Sequence, residues 1–415
     1  ARVGFGTCLA QVLSSLPIVS TEAVLDSLEK STRVSGSLSG AEERDLMFGR
    51  LFGYVAIIRS GRLGSEAYSE DTASVTKCCE TILAGLMTLF RKRKWIEEST
   101  TEAILDLIYA VPPKLVSSCI LPKVSGPLLG QSPSPAAQRA AAAGVGDLAA
   151  IAAAEAAARA GPNPDDAEAR PAPIEELEHF TPAQLMFTIG LENYARETLG
   201  AALGESSGDA GDGEAKKGSR HVKKLKKAVL RGLPTKRIVT VDTLTLLRKP
   251  LLAACRGYPK VHRVWTYVLG AIFSLNSNRE LHSSRFPALS AEKEALLQGF
   301  VDLIDSALLP AIGPGDAVAS RGGKTAEKST DEAQIQMSSR KPSNERRSVA
   351  FALSCELLRQ SPAELFPTAL SRRMVQSLVS CRGKKESQLY ALAGATIGKW
   401  VAAVGPSTTP GGGPV

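Results

Sequence analysis

Apolar residues recur at helical rather than strand spacing along most of the chain. In RDLMFGRLFGYVAIIRSG, Leu46, Phe48, Leu51, Phe52, Val55 and Ile58 fall on one broad helical face. Ser39-x-x-Glu42 supplies a capping box ahead of this run, and Gly61 a stop after it. Ser99-x-x-Glu102 predicts a second helix start, before TEAILDLIYAV, with Pro112-Pro113 ending it. Thr181-Pro182-Ala183-Gln184 and Ser361-Pro362-Ala363-Glu364 each join an N-cap hydroxyl to a first-turn proline. Continued along the chain, the pattern predicts about fourteen helices of roughly 10–20 residues, paired at intervals of roughly 40 residues, the armadillo or HEAT period. The expected fold is all-α, an armadillo/HEAT-like α-solenoid with disordered polar insertions. A compact helical domain is the alternative. RIVTVDT at 237–243 is β-branched enough for a short strand, but it reads better as the lead-in to the helix TLTLLRKPLLAAC. No strand–helix alternation supports a parallel sheet.

Polar breaks divide this pattern. Residues 1–130 read as N-terminal helical repeats, and 131–172 as a low-complexity Ala/Pro-rich insertion. Residues 173–312 return to helical repeats, with a basic insertion at 204–237 whose first part, GESSGDAGDGEAKKGS at 204–219, has too few apolar groups to order itself. A polar linker follows at 313–343, then helical repeats at 344–404 and a flexible tail at 405–415. A solenoid suits the length, because 415 residues exceed what one core usually serves.

Composition sharpens the expectation without changing the fold. Aromatics are only 5%, as suits helices packed through Leu, Ala and Val. The net charge of +8 favours an anionic partner. Seven cysteines (Cys8, Cys78, Cys79, Cys119, Cys255, Cys355 and Cys381) lack CxxC spacing, and the four histidines lie far apart. Reduced, mostly buried thiols in an intracellular protein are expected, with no metal and no cofactor. Cys78 and Cys79, adjacent on a helix, face about 100° apart and cannot share a metal. The longest apolar-looking stretch, Ala141 to Ala160, is alanine-rich and broken by Asp147, Glu155 and Arg159, so no transmembrane span, membrane partner or small-molecule substrate is expected. No signal peptide is expected. The chain starts at Ala1 and ends in GPSTTPGGGPV, and reads as an excerpt of a longer protein.

One segment stands out chemically. Residues 216–237 hold Lys216, Lys217, Arg220, Lys223, Lys224, Lys226, Lys227, Arg231, Lys236 and Arg237, with no acid among them. Only Val222, Leu225, Ala228, Val229 and Leu230 could pack, so the run is either a flexible arm or a basic helix. Phosphate backbone or an acidic protein surface is its natural partner, and such a cluster also reads as a nuclear import signal. A solvated charged surface is the plainer reading. No aromatics interleave, so base stacking is not indicated. A second cluster, Arg91 to Lys94, closes a helix, where cations complement the macrodipole. Dinucleotide and Walker glycine patterns are absent, and no carboxylates are placed for two-metal chemistry. A catalytic centre is not expected.

RDLMFGRLFGYVAIIRSGRL at 44–63 resembles a segment of the Myb-binding protein 1A / DNA polymerase phi family, also called DNA polymerase V. ARVGFGTCLAQVL, FRKRKWIEESTTEAIL, YPKVHRVWTYVL at 258–269 (matched through Pro259, His262 and Trp265) and the stretches NERRSVAFALSCELL and LFPTALSRRMVQSLVSCRGKKESQLYALA follow in the family's order. The resemblance covers most of 1–130 and 173–404, and not the Ala-rich insertion. It implies an armadillo/HEAT-like protein of the nucleolus or nucleus, linked to rRNA production, pre-ribosome assembly and transcription-factor binding. Pre-ribosomal RNA and assembly proteins are the implied partners, transcription factors the second possibility. Members of that family are longer, with an acidic tract and a basic C-terminal tail, so this chain resembles their N-terminal part. The polymerase name is not matched by any palm-type carboxylate motif. No catalytic residues carry over; Arg50 and Trp265 match motif positions as a helix-packing contact and a core anchor.

Overall fold

The computed structural model describes residues 2–33, 39–129, 174–200, 213–235, 237–255, 262–273, 291–309, 344–361 and 365–404. The insertion at 131–172, the linker at 313–343, the tail at 405–415, Pro259 and the middle of the Ser361–Glu364 motif lie outside them. All described regular structure is helical. It falls into two compact units, 1–176 with 183–238, and 177–182 with 239–415.

The first unit begins with α1 (Arg2–Ser15), α2 (Thr21–Ser31), α3 (Gly40–Arg59), α4 (Ser65–Glu70), α5 (Thr72–Lys92) and α6 (Lys94–Ala110). The short turn α7 (Pro113–Leu115), a π-helical stretch (Val116–Ile120) and α8 (Leu121–Leu129) run on from there. Helices α9 (Pro182–Arg196) and α10 (Gly213–Gly232) complete the unit. The predicted caps hold at α3: Ser39 Oγ accepts from Glu42 N at 3.3 Å, and Glu42 Oε2 accepts from Ser39 N at 2.9 Å. Gly61, at φ +81°, makes the left-handed turn beyond that helix, where a side chain would be strained. Pro182 opens α9 as expected.

The buried positions of α3 are Met47, Leu51, Tyr54, Ala56, Ile57 and Ile58, while Leu46, Phe48, Phe52 and Val55 are only half-buried. The single face read from periodicity is therefore incomplete. Helix α3 packs against α1, α2, α5 and α6, so its core contacts wrap most of its circumference.

Two arginines close the N-terminal helices. Arg50 donates to Thr32 Oγ1 (2.9 Å), Thr32 O (3.1 Å) and Glu29 O (3.3 Å), satisfying the end of α2. Arg62 donates to Leu13 O (2.8 Å), Val19 O (2.6 Å) and Leu16 O (2.5 Å), fixing the end of α1 and the turn after it. The expectation that Arg50 is a packing contact between helices is met in this form.

Two expectations about this unit fail. Ser99 does not start a helix: α6 begins at Lys94 and Ser99 lies inside it. Arg93, with extended backbone, is the sole break after α5, and burial of Ile96 and Glu98 extends the helix upstream of the Ser-x-x-Glu pattern. Second, α5 is apolar and long enough to cross a membrane, a property the alanine-rich stretch had seemed to hold most nearly. Its Cys78, Cys79, Ile82, Leu83, Leu86, Met87 and Leu89 are buried, which makes it a core helix.

The second unit contains α11 (Leu244–Ala253), α12 (Arg263–Phe273), α13 (Ala291–Leu308), α14 (Asn344–Gln360), α15 (Phe366–Ala369), α16 (Arg372–Arg382) and α17 (Tyr390–Val404). Trp265 is fully buried, 6.2 Å from the Phe300 ring, and anchors this core as expected. Ser371 caps α16 by accepting from Met374 N at 3.0 Å, and its hydroxyl donates to Asp305 of α13 at 2.6 Å. Trp400 Nε1 on α17 donates to Ser354 Oγ on α14 at 3.1 Å. The β-branched stretch 237–243 is not a strand. Within the first unit, Ile238 N donates to the buried Glu192 carboxylate at 2.9 Å. Within the second, Thr240 and Thr243 exchange hydroxyl and backbone bonds in a turn that leads into α11. Its backbone donors are thus taken by side chains rather than by a neighbouring strand.

Candidate nucleic-acid interface

The basic run forms a helix. Of the two local forms open to it, α10 takes the ordered one, and it begins at Gly213, inside the stretch expected to be unordered. Leu225 and Val229, one turn apart, are each 3% exposed and seat the helix in the unit. Around them the chain is rich in Lys, with Arg, Ala and Leu, which propagate a helix once it is anchored. His221 Nε2 lies 3.3 Å from Ser117 Oγ of the π-helical stretch, a second attachment near the middle of α10.

The anchoring sets the electrostatics. At about 100° per residue, Arg220, Lys223, Lys224, Lys227 and Arg231 share the face opposite Leu225 and Val229, and all five are exposed. The stripe spans 12 residues, from Arg220 to Arg231, about 16 Å. None of these five forms an ion pair with a described carboxylate. Lys226 lies at the flank and is half-buried. Arg237, also half-buried, sits in the following loop away from the stripe. Lys216 and Lys217 belong to the first turns of α10, but their side chains, and all of Lys236, fall outside the described residues. Thus five of the ten candidate cations form one continuous surface, and Lys226 and Arg237 do not join it.

The second basic cluster has a different use. Lys92 and Arg93 both pair with Glu43 of α3, at 3.4 and 2.8 Å. The Arg93 guanidinium, hydrogen-bonded to this carboxylate, holds Glu43 below its ordinary value. The cluster ties α5 to α3 at the surface.

The cysteines do not form a chemical centre among the described residues, where no group of three or more metal-ligating side chains occurs. Cys79 of α5 and Cys119 of the π-helical stretch face each other, Sγ to Sγ 4.0 Å, both buried and free. Burial pushes the Cys255 thiol up to about 12, far from the range of a nucleophilic cysteine. The sequence had no signal for the Cys79–Cys119 approach, since the two are 40 residues apart on different elements.

Sequence comparison supplies context that the geometry cannot. Residues 1–133 match the DNA polymerase phi family model. The rDNA transcriptional regulator pol5 of Schizosaccharomyces pombe (strain 972 / ATCC 24843) is 34% identical over 113 residues, 27% of this chain. The match spans only 11% of that relative's length. No solved structure matches the chain. Helices α1 to α8, with the arginine-capped segment at their centre, lie in the matched region, and over residues 1–133 the chain is similar to the DNA polymerase phi family.

Proposed function

We propose that the chain is a non-catalytic nuclear scaffold, concentrated in the nucleolus, that acts in rRNA production and pre-ribosome assembly. The observation that carries this reading is the 34% identity over 113 residues to a protein named as an rDNA transcriptional regulator, beside the family match over residues 1–133. The α10 stripe supports a direct contact with RNA. Five exposed cations about 16 Å along one helix face suit a phosphate backbone, which is recognised through charge and without base stacking. Contacts between helices two apart in sequence, such as α1 with α3 and α14 with α16, support stacking of the armadillo/HEAT kind. The family's polymerase name motivates one check: purified protein with template, primer and divalent cation should incorporate no nucleotide.

The test is RNA binding by the full chain across a salt series. Neutralising the five stripe cations to Gln should weaken binding and reduce the slope of log K against log salt by about 3 to 4. An unchanged slope refutes the stripe as the RNA contact. The relative's name also favours a second reading, a transcriptional co-regulator that binds DNA-binding proteins. Association with chromatin-bound partners that survives nuclease treatment and stripe neutralisation would favour it over the RNA reading.

A further inference from the structure

Beneath the stripe lies a feature that phosphate binding does not use. Helices α8, α9 and α10 line a half-open pocket of about 540 Å³, walled by Leu121, Leu129, Leu191, Leu225 and Val229. Ligand pockets typically span ~300–1,000 Å³. Ser117, His221 and Lys224 stand among its polar lining. Lys224 therefore belongs both to the pocket and to the cationic stripe.

The chemistry narrows the occupant. The lining contains no Phe, Tyr or Trp on which a base could stack, and RNA carries no aliphatic group to fill an aliphatic pocket. A fatty acid would satisfy the walls, but its one carboxylate would engage only one or two of five cations. An occupant that uses both features carries an aliphatic group beside several anionic ones spaced over a few turns of helix. A peptide with leucine-type side chains among glutamates or aspartates does so. We propose that this pocket is a docking site for an acidic, aliphatic peptide segment of a partner protein, its apolar side chain entering between α8 and α10 and its flanking carboxylates pairing with Lys224 and the neighbouring stripe cations. The two readings share Lys224 and its neighbouring cations, but only the peptide reading needs the apolar walls, so filling the pocket tests it apart from RNA binding.

The experiment is fluorescence anisotropy on the full chain with three panels of labelled twelve-residue peptides. One panel holds leucines one helical turn apart among glutamates, one has those leucines replaced by serine, and one has the glutamates replaced by lysine. The acidic leucine panel should bind, and each of the others should bind at least tenfold more weakly. Ser125→Trp, which fills the pocket, and the milder Ala228→Leu should each weaken the acidic leucine peptides at least fivefold. Both variants should leave polyuridylate binding unchanged, which also shows that α10 is still folded. Failure of the acidic leucine panel, or equal binding of the serine panel, overturns the proposal. So does insensitivity to both pocket variants. If laurate binds, is blocked by Ser125→Trp, and no peptide binds, the pocket is a lipid site and the proposal falls. Loss of polyuridylate binding in the stripe variants is read separately and bears only on the RNA interface.

Discussion

Gly85 offers the sharpest test of the packing between α3 and α5. A Cβ at this position would lie 2.5 Å from Tyr54 Cζ and 2.6 Å from Cε2, and closer still to the hydroxyl oxygen. The Tyr54 ring cannot swing away cheaply: it is fully buried, and its hydroxyl donates to Glu29 Oε1 at 3.2 Å. Gly85→Ala gains about 1 kcal/mol of helix propensity. Against this stands overpacking of about 1–3 kcal/mol, plus about 1 kcal/mol for the bond to Glu29 if the ring is displaced. The net expectation is a loss of roughly 1–3 kcal/mol by the same principles. Gly398→Ala in α17 is the control, since nothing lies within 4 Å of its Cβ, and it should stabilise by about 0.5–1 kcal/mol. Gly53→Ala should fall between them, because the atoms it meets at 2.5 Å are the methyl ends of Leu28, which can rotate. Urea denaturation gives the overall change, and hydrogen exchange read by mass spectrometry assigns it to the amides of α3 and α5. In a Tyr54→Leu background the cost of Gly85→Ala should drop by more than half. A Gly85→Ala protein as stable as the parent, or a penalty that survives Tyr54→Leu, would refute the reasoning.

Other substitutions probe separate parts of the molecule. Arg62→Met removes the Arg62 donor from the Leu13, Leu16 and Val19 carbonyls, of which Leu16 O keeps Val19 N, and should cost about 2 kcal/mol, with faster exchange across α1. Arg62→Lys should recover less than half of this, because one ammonium cannot span three acceptors held by a planar guanidinium. Burial holds the Glu97 carboxyl above its ordinary value of 4.5, with Lys94 opposing. A raised carboxylate contributes fully below that ordinary value, and its contribution is lost as pH rises through the folded value. Glu97→Gln should therefore raise the denaturation midpoint at neutral pH and change it little in acid; a larger gain in acid would reverse the sign and defeat the argument. Cys8 is exposed while Cys79, Cys119 and Cys255 are buried, so an aromatic disulfide reagent should label Cys8 first in native protein and the buried three only on denaturation.

What the sequence revealed depended on how far apart the interacting residues lie. The capping box at Ser39 and the proline start at Pro182 span four residues or fewer, and both were legible. Ser99 carried the same local pattern and misled, because buried Ile96 upstream had already committed the chain to helix. Inside α6, Thr100 and Thr101 turn their hydroxyls back to the carbonyls of Ile96 and Glu97, and so neither ends the helix. The cationic run was legible as chemistry but not as structure. Ten like charges disfavour a helix locally, and what holds α10 includes His221 against Ser117, 104 positions earlier. The pocket was invisible for the same reason, since its walls come from three separate helices. Arg50 was noticed only as part of a resemblance and Arg62 not at all, and the structure supplies the physical role each one plays.

The arginine ends of α1 and α2 bear on how the chain is made. Arg62 reaches back 43 to 49 positions to its three carbonyls. At synthesis rates of ~5–20 residues per second, about 2–9 s separate the appearance of Ser15 from that of Arg62. During that interval the first helix lacks its closing contacts, and Leu13, fully buried in the finished fold, is open to whatever chaperone is near. Arg50 closes the second helix first, and a stall or truncation before residue 62 would leave the first helix without its closing donor.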